Sequence, residues 1–383
     1  MPTSLDRLVR KEVSLGAIRE LPVAQTHIGL QQIAPWLEVG SDDVIFQYIK
    51  DNAQEGLAPA RAEDAEAELA QKDDLLAGEG RASLIDWSLK DKYTASDVSR
   101  YRDDLRLEQQ LRGAVSTDLP RSFSGSTVAD FQKRLAREDA LRKRKLDNRV
   151  EWLIMTALEL GKLAYNDGKI KFNVDFNRPV DQHLQAPAGG LWGTEDSDPI
   201  GDLIEINRVH FDKYGVNLTR GIISKKILNS IWKSKFFLLA MGVPVLGGTP
   251  SIPVNPEYLG LSGYTPEGAL RILEQATGIK FEIYDGVYRT RPVGSKVITN
   301  TRFTTESTVI LWPGDGELGE IDDTEIGFAK TLTAPHPEGN WTPGFYEWED
   351  ESKDPWLHVR GSGIKAFPIF PYMQYTYTLK VLA

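Results

Sequence analysis

Residues 126–166 read STVADFQKRLAREDALRKRKLDNRVEWLIMTALELGKLAYN, and the interpretation of this stretch decides the fold. Val128, Phe131, Leu135, Leu141, Leu146, Val150, Leu153, Ile154, Ala157, Leu158 and Ala164 recur with a helical rather than a strand period, and no proline or glycine interrupts them before Gly161. Ser126 and Thr127 are candidate N-caps, with Asp130 at capping-box spacing from Thr127. The pattern predicts one helix over 127–166, roughly 60 Å long at 1.5 Å per residue. A rod of that length is a spine to which the rest of the chain attaches. Its first half carries Lys133, Arg134, Arg137, Arg142, Lys143, Arg144, Lys145 and Arg149 against Glu138, Asp139 and Asp147, and is expected to be basic and solvated on most sides. From Val150 the sequence turns apolar and is expected to lie on a core.

A second charge feature lies upstream. Residues 51–80 hold Asp51, Glu55, Glu63, Asp64, Glu66, Glu68, Asp73, Asp74 and Glu79 against Arg61 and Lys72. Composition alone reads this block as a solvated segment. The sharper reading is that it meets the basic half of the spine, within one subunit or between neighbours, through charge complementarity. The whole chain of 383 residues has a net charge of −10, which argues against a general nucleic-acid binder while leaving a local basic face open. There is no cysteine, so disulfides, thiolate chemistry and cysteine metal sites are excluded together. No long apolar run or secretory leader is read, and no membrane partner is expected.

In chain order, residues 2–20 form a short amphipathic helix that needs a surface to lie on, so the first forty residues are read as a docking arm. Residues 33–39 are extended. Strand-like runs Val44–Ile49 and Ala82–Tyr93 flank the acidic block as a long projecting hairpin. Residues 97–111 read as a charged helix. After the spine come a strand over 169–176, a loop over 178–195, and a helix from Asp198 and Pro199 to Tyr214 that stops at Gly215. A strand over 216–223 and a helix from Ser224 to Met241 follow. Thr265, Pro266 and Glu267 open a further helix ending at Gly278, before strands over 280–284 and 287–290. Strands and long loops fill the rest, with residues 367–382 returning as a final strand.

Signatures of chemistry are weak. Gly314, Gly316 and Gly319 spell GxGxxG after a strand, but the acidic residues that follow, Glu320, Asp322, Asp323 and Glu325, would repel a pyrophosphate, so these are turn glycines. The same segment, with Asp315, Glu317, Asp322, Asp323 and Glu325, lacks the ligand spacing and central glycine of an EF-hand calcium loop. The five histidines are scattered singly, and Ser230-Ile231-Trp232-Lys233 matches SxxK inside a helix without partner motifs. No cofactor, metal or catalytic residue is assigned, and no enzyme activity is expected.

The run Arg81-Ala82-Ser83-Leu84-Ile85-Asp86-Trp87 before Lys92 and Tyr93, the helix 198–214 leading to Ile222, Ile223, Ser224 and Leu228, and the ending Pro371-Tyr372-Met373-Gln374 carry a resemblance. In them, and in the order of its parts, the chain resembles the lambda-type major capsid protein E family of tailed phages, with the Hong Kong 97 fold. That resemblance implies an α+β chain. It comprises an arm (1–41), an extended loop with an acidic insert (42–94), a peripheral domain built on the spine (95–180 and 300–352), and an axial domain (181–299 and 353–383). It further implies a structural subunit that self-assembles into pentamers and hexamers enclosing double-stranded DNA, in a virion assembled in host cytoplasm. Decoration, scaffold and portal proteins would be its other partners. Contact candidates between subunits are Trp36, Trp87, the acidic Glu63, Asp64, Glu66 and Glu68, and the basic Arg134, Arg137, Arg142 and Arg144. The alternatives are an encapsulin-like cargo compartment of the same fold class and a hydrolase with unrecognised carboxylates.

Overall fold

The computed structural model describes residues 11–49, 77–94, 96, 126–168, 170–240, 245–246, 249–250, 266–291, 297–318, 327–353 and 356–383. The chain runs α1 (Lys11–Glu20), a π-helical turn (Gly29–Ile33), β1 (Trp36–Glu38), β2 (Asp43–Ile49), β3 (Ala77–Ser83), β4 (Ile85–Thr94) and the spine α2 (Ser126–Leu160). Next are β5 (Lys162–Asn166), β6 (Lys171–Asp175), α3 (Pro199–Tyr214), β7 (Arg220–Ile223), α4 (Lys225–Ile231), α5 (Lys235–Ala240), β8 (Val245–Leu246), β9 (Thr249–Pro250) and α6 (Pro266–Thr277). The last part is β10 (Lys280–Ile283), β11 (Val287–Thr290), β12 (Thr299–Arg302), β13 (Thr308–Trp312), α7 (Asp315–Leu318), β14 (Lys330–Thr333), β15 (Phe345–Lys353), β16 (Trp356–Ile369) and β17 (Tyr377–Lys380). The expected helix over 97–111 and the acidic insert up to Leu76 lie outside the described residues.

Two sheets organise the molecule. In the five-stranded sheet β16 is central: β4 runs antiparallel along one edge, β15 and β14 follow one another along the other, and β1 adds parallel to β14. The length of β16 is possible because Gly361 and Gly363 leave room for the rings of Trp348 and Tyr346, which a Cβ at either position would strike. The four-stranded sheet has the order β10-β7-β13-β17, with β7 and β10 parallel and β13 antiparallel to both its neighbours. Ile222 and Ile310 face the core under the spine, while Ile223, Val309 and Leu311 face a second core closed by α3, α4 and α6. Covered on both sides, β13 is buried at every position, which is why all of it after Thr308 reads as an apolar run.

The spine is 35 residues, about 50 Å. Val150, Leu153, Ile154, Met155, Ala157 and Leu158 are each fully buried, as expected of the apolar half. It ends at Leu160 and not near Asn166, because Gly161 takes φ +69° and the chain turns into the β5–β6 hairpin. Arg178 seals that end, its guanidinium donating to the carbonyls of Leu158 and Glu159. The half expected to be solvated is also corrected: Asp139, Arg142, Lys143 and Asp147 are buried.

Other boundaries shift for local reasons. The run expected as one strand over 82–93 breaks at buried Leu84, whose N–H donates to Asp42. β3 pairs with β2 as the hairpin, whereas β4 joins the five-stranded sheet. The expected helix 224–241 is cut at 232–234, where the Ser234 hydroxyl donates to Ser197 and accepts from Phe237 N–H. The strand expected from Val216 begins only at Arg220. Residues 367–382 are not one strand: 367–369 end β16, a turn follows, and β17 enters the other sheet. The sheets cross the expected partition: β1 of the arm segment, β4 of the extended-loop segment and β16 of the axial segment lie in the five-stranded sheet, and β13 of the peripheral segment lies in the four-stranded one. Helices α3 and α6 match expectation at both ends, with Asp198 accepting from Gly201 N–H and Gly215 and Gly278 at positive φ.

Candidate functional site

The basic half of the spine meets β16, β15 and β4 through a buried ionic cluster. Arg142, 2% exposed, donates to Asp91 at 2.5 Å and to Ser362 at 3.0 Å, and pairs with Asp139 one helical turn earlier. Glu347, fully buried, lies 3.8 Å from Arg142 and 3.5 Å from Arg360, and accepts from the Ser362 hydroxyl. Arg360 also approaches Asp139 at 3.9 Å and Glu349 at 3.6 Å. Beside it the Tyr93 hydroxyl donates to Glu138. Burial pushes the Glu347 carboxyl up, against the pull of Arg360. A buried cluster of this kind fixes the register of helix on sheet more than it adds stability, since desolvation offsets most of the Coulomb gain.

Two turns on, Glu151 anchors the N-terminal segment. Its carboxylate is fully buried and accepts from the backbone N–H groups of Gly29 at 3.0 Å and Leu30 at 2.9 Å, and from the Tyr284 hydroxyl at 2.8 Å. Gly29 is required there, because a Cβ would come within 2.7 Å of the carboxylate. Burial raises the Glu151 carboxyl to about 7 despite these hydrogen bonds. Further out, the ring of Trp36 packs edge-on against Phe345, and Arg19 of α1 donates to the Phe345 carbonyl. The segment before β2 is thus held on its own subunit.

On the opposite flank a cleft of about 700 Å³ opens between α2, β4, the β5–β6 hairpin and β11. Arg149 lies over the rings of Trp87, Trp152 and Tyr165, at 5.1, 5.4 and 5.1 Å from their centroids. Exposed apolar side chains elsewhere include Ile204 and Phe211 on α3, Val180, and Trp341 on a turn where Asn340 and Trp341 both have positive φ.

The structure treats the contact candidates unequally. Arg137 and Arg144 are exposed, as an interface requires. Arg142 is corrected to an internal group, committed to its own chain. Trp87 is 8% exposed, its indole N–H donating to Ala366, so it is mostly core. Trp36 is half-buried. The side chain of Arg134, and Glu63, Asp64, Glu66 and Glu68, lie outside the described residues. Sequence reasoning missed Arg149 and Glu151, which within the spine read as ordinary polar positions. The one available signal was a charge flanking the apolar half. Of the GxGxxG glycines, Gly314 donates to Thr219 in a turn, and only the four-residue α7 follows before the described residues stop. Among the described residues no group of three or more His, Cys, Asp or Glu could hold a metal, and no helix is long and apolar enough to cross a membrane.

Comparison with known proteins places these features in a family. No curated protein sequence matches the chain. Among solved structures, one described as a prophage capsid protein from E. coli CFT073 superposes with a TM-score of 0.57 at 13% identity, covering 100% of both chains, and shares the fold. A phage-related protein from Bordetella bronchiseptica RB50 gives 0.48 at 13% identity over 97% of both chains. An encapsulin complex from Synechococcus elongatus PCC 7942 gives 0.40 at 10% identity, covering 94% of this chain and 88% of that one. The family model described as phage major capsid protein E matches residues 108–322, more than half of the sequence, from ahead of the spine helix to beyond β13. A mixed helix and strand chain of Hong Kong 97-like fold, built around a long helix and two sheets and matched over that span, belongs to the phage major capsid protein E family.

Proposed function

We propose that this chain is the repeating structural subunit of a tailed-phage capsid, whose copies assemble into pentamers and hexamers of a closed shell around double-stranded DNA. The observation that carries the reading is the family match over residues 108–322, which takes in the spine and three strands of the four-stranded sheet. The geometry supports it: the 35-residue helix is locked to one sheet by ionic contacts and to the other by apolar packing, giving a stiff body for repeated heterologous contact. A peripheral part comprises the five-stranded sheet with the first half of the spine. An axial part comprises the four-stranded sheet with α3 to α6. Scaffold, decoration and portal proteins are its other partners, and assembly takes place in host cytoplasm. Exposed Arg137 and Arg144 pair with the acidic insert of a neighbouring copy. The test is negative-stain electron microscopy with light scattering on the purified chain at two salt concentrations. Polyhedral shells, tubes or capsomer rings are expected, and a particle that stays a monomer or dimer in every condition, scaffold included, refutes the reading.

A further inference from the structure

Arg149 stands in the cleft between α2, β4, the β5–β6 hairpin and β11 as a cation without an acceptor. The rings of Trp87, Trp152 and Tyr165 gather around its guanidinium, and among the described residues its N–H donors make no hydrogen bond or ion pair. The two carboxylates that line the cleft are held by other donors. Asp86 accepts from the Tyr346 hydroxyl, and Asp167 accepts from the Ile170 N–H at 2.8 Å and the Tyr165 hydroxyl at 3.2 Å. The Trp87 indole N–H is committed to the Ala366 carbonyl, so that residue offers its ring alone. A half-buried guanidinium set among rings, with its donors open, is arranged to receive a carboxylate. We propose that this cleft binds a small amphipathic monocarboxylate, its carboxylate on Arg149 and its apolar body against the half-buried rings of Trp152 and Tyr165.

Size, charge and surface each select that ligand. A cleft of about 700 Å³ has the room that a drug-sized molecule takes. Lys145 and Arg289 also line it and make no ion pair among the described residues, so three cations stand against two carboxylates. One negative charge balances that sum, whereas a phosphate dianion or a nucleic-acid backbone brings further charge toward Asp86 and Asp167. Leu89 and Ile170, 36% and 41% exposed, add apolar surface to the same cleft, which favours an acid with an apolar body over a bare anion. Aromatic and aliphatic acids share this chemistry. The site lies within a single chain, so the inference goes beyond the shell reading and stands apart from it.

Isothermal titration calorimetry of the full-length chain tests it with naphthoate and octanoate, each beside the alcohol of the same carbon skeleton, and with inorganic phosphate. At least one acid is expected to bind about tenfold or more tightly than its alcohol, and the tighter acid tells an aromatic from an aliphatic source. Arg149→Gln is expected to weaken the acids by about tenfold to a hundredfold, as a charged hydrogen-bonding partner is lost, and to leave the alcohols unchanged. Ile170→Glu, at an exposed position, sets a like charge beside the ligand and should weaken the acids without disturbing the ring cluster. It decides the matter by itself if Arg149→Gln does not fold. The proposal is overturned if neither acid binds, if acid and alcohol bind alike, if phosphate binds as tightly as the acids, or if the deciding variant keeps the parent's affinity.

Discussion

Arg142→Met is expected to destabilise the subunit by about 3 kcal/mol, the lower end of the range for removing one partner of a buried ion pair. Three carboxylates surround the guanidinium, and they respond differently to its loss. The Asp91 side chain is 42% exposed and regains water, so that pair contributes little. Asp139 and Glu347, at 8% and 0% exposure, stay dry and lose a counter-charge. Arg360, within 3.9 Å of Asp139 and 3.5 Å of Glu347, takes over part of the compensation, which holds the loss to the lower end. The assay is urea unfolding of the dispersed subunit followed by tryptophan fluorescence, with the midpoint shift converted through an unchanged slope. Arg144→Glu, on the exposed face, serves as the contrast and should move stability by no more than about 0.5 kcal/mol. Equal stability of Arg142→Met and the parent would falsify the view that the cluster holds helix to sheet. It would reopen Arg142 as a surface group.

Other outcomes follow from the same geometry. Glu151 has its carboxyl raised from 4.5 to about 7, so its share of stability is complete below pH 4.5 and is lost as pH rises through about 7. That share is about 3 kcal/mol by linkage, and Glu151→Gln should flatten this part of the pH profile; an unaltered slope would assign it to another group. Arg178→Ala uncovers the carbonyls of Leu158 and Glu159 and should cost about 2 kcal/mol, read as faster amide exchange in the last turn of the spine; unchanged protection there would show that the end is capped another way. Arg137→Glu with Arg144→Glu should leave subunit stability near the parent and weaken assembly, more so at low salt, as measured by light scattering; unchanged shell yield would remove these two from the interface.

Much of the fold was legible before the structure, and the legible parts share one property. Asp198, Pro199 and Gly215 bound α3, and Pro266 and Gly278 bound α6, because caps and left-handed glycines act within one turn of the chain they terminate. The apolar half of the spine announced itself by period alone. The resemblance to capsid proteins, carried by short motifs and the order of parts, led to the family that the match over 108–322 shows.

What the sequence could not disclose depends on partners far away along it. Arg142 and Arg144 are two residues apart on one helix and look alike in any charge pattern. One is buried against Ser362 and the other is exposed, and only the docking of β16 separates them. Glu151 reads as a polar interruption until Gly29 and Tyr284 arrive from either side. Likewise β3 and β4 form one continuous extended run in sequence, yet they serve a hairpin and a sheet, because Leu84 turns into the core between them. Helix, strand and cap were determined by neighbours a few bonds away. Burial of charge, choice of sheet and the open cleft at Arg149 were decided by packing between separate elements, some as far apart as Arg142 and Ser362, 220 residues along the chain, whose free energy exists only once the elements have packed.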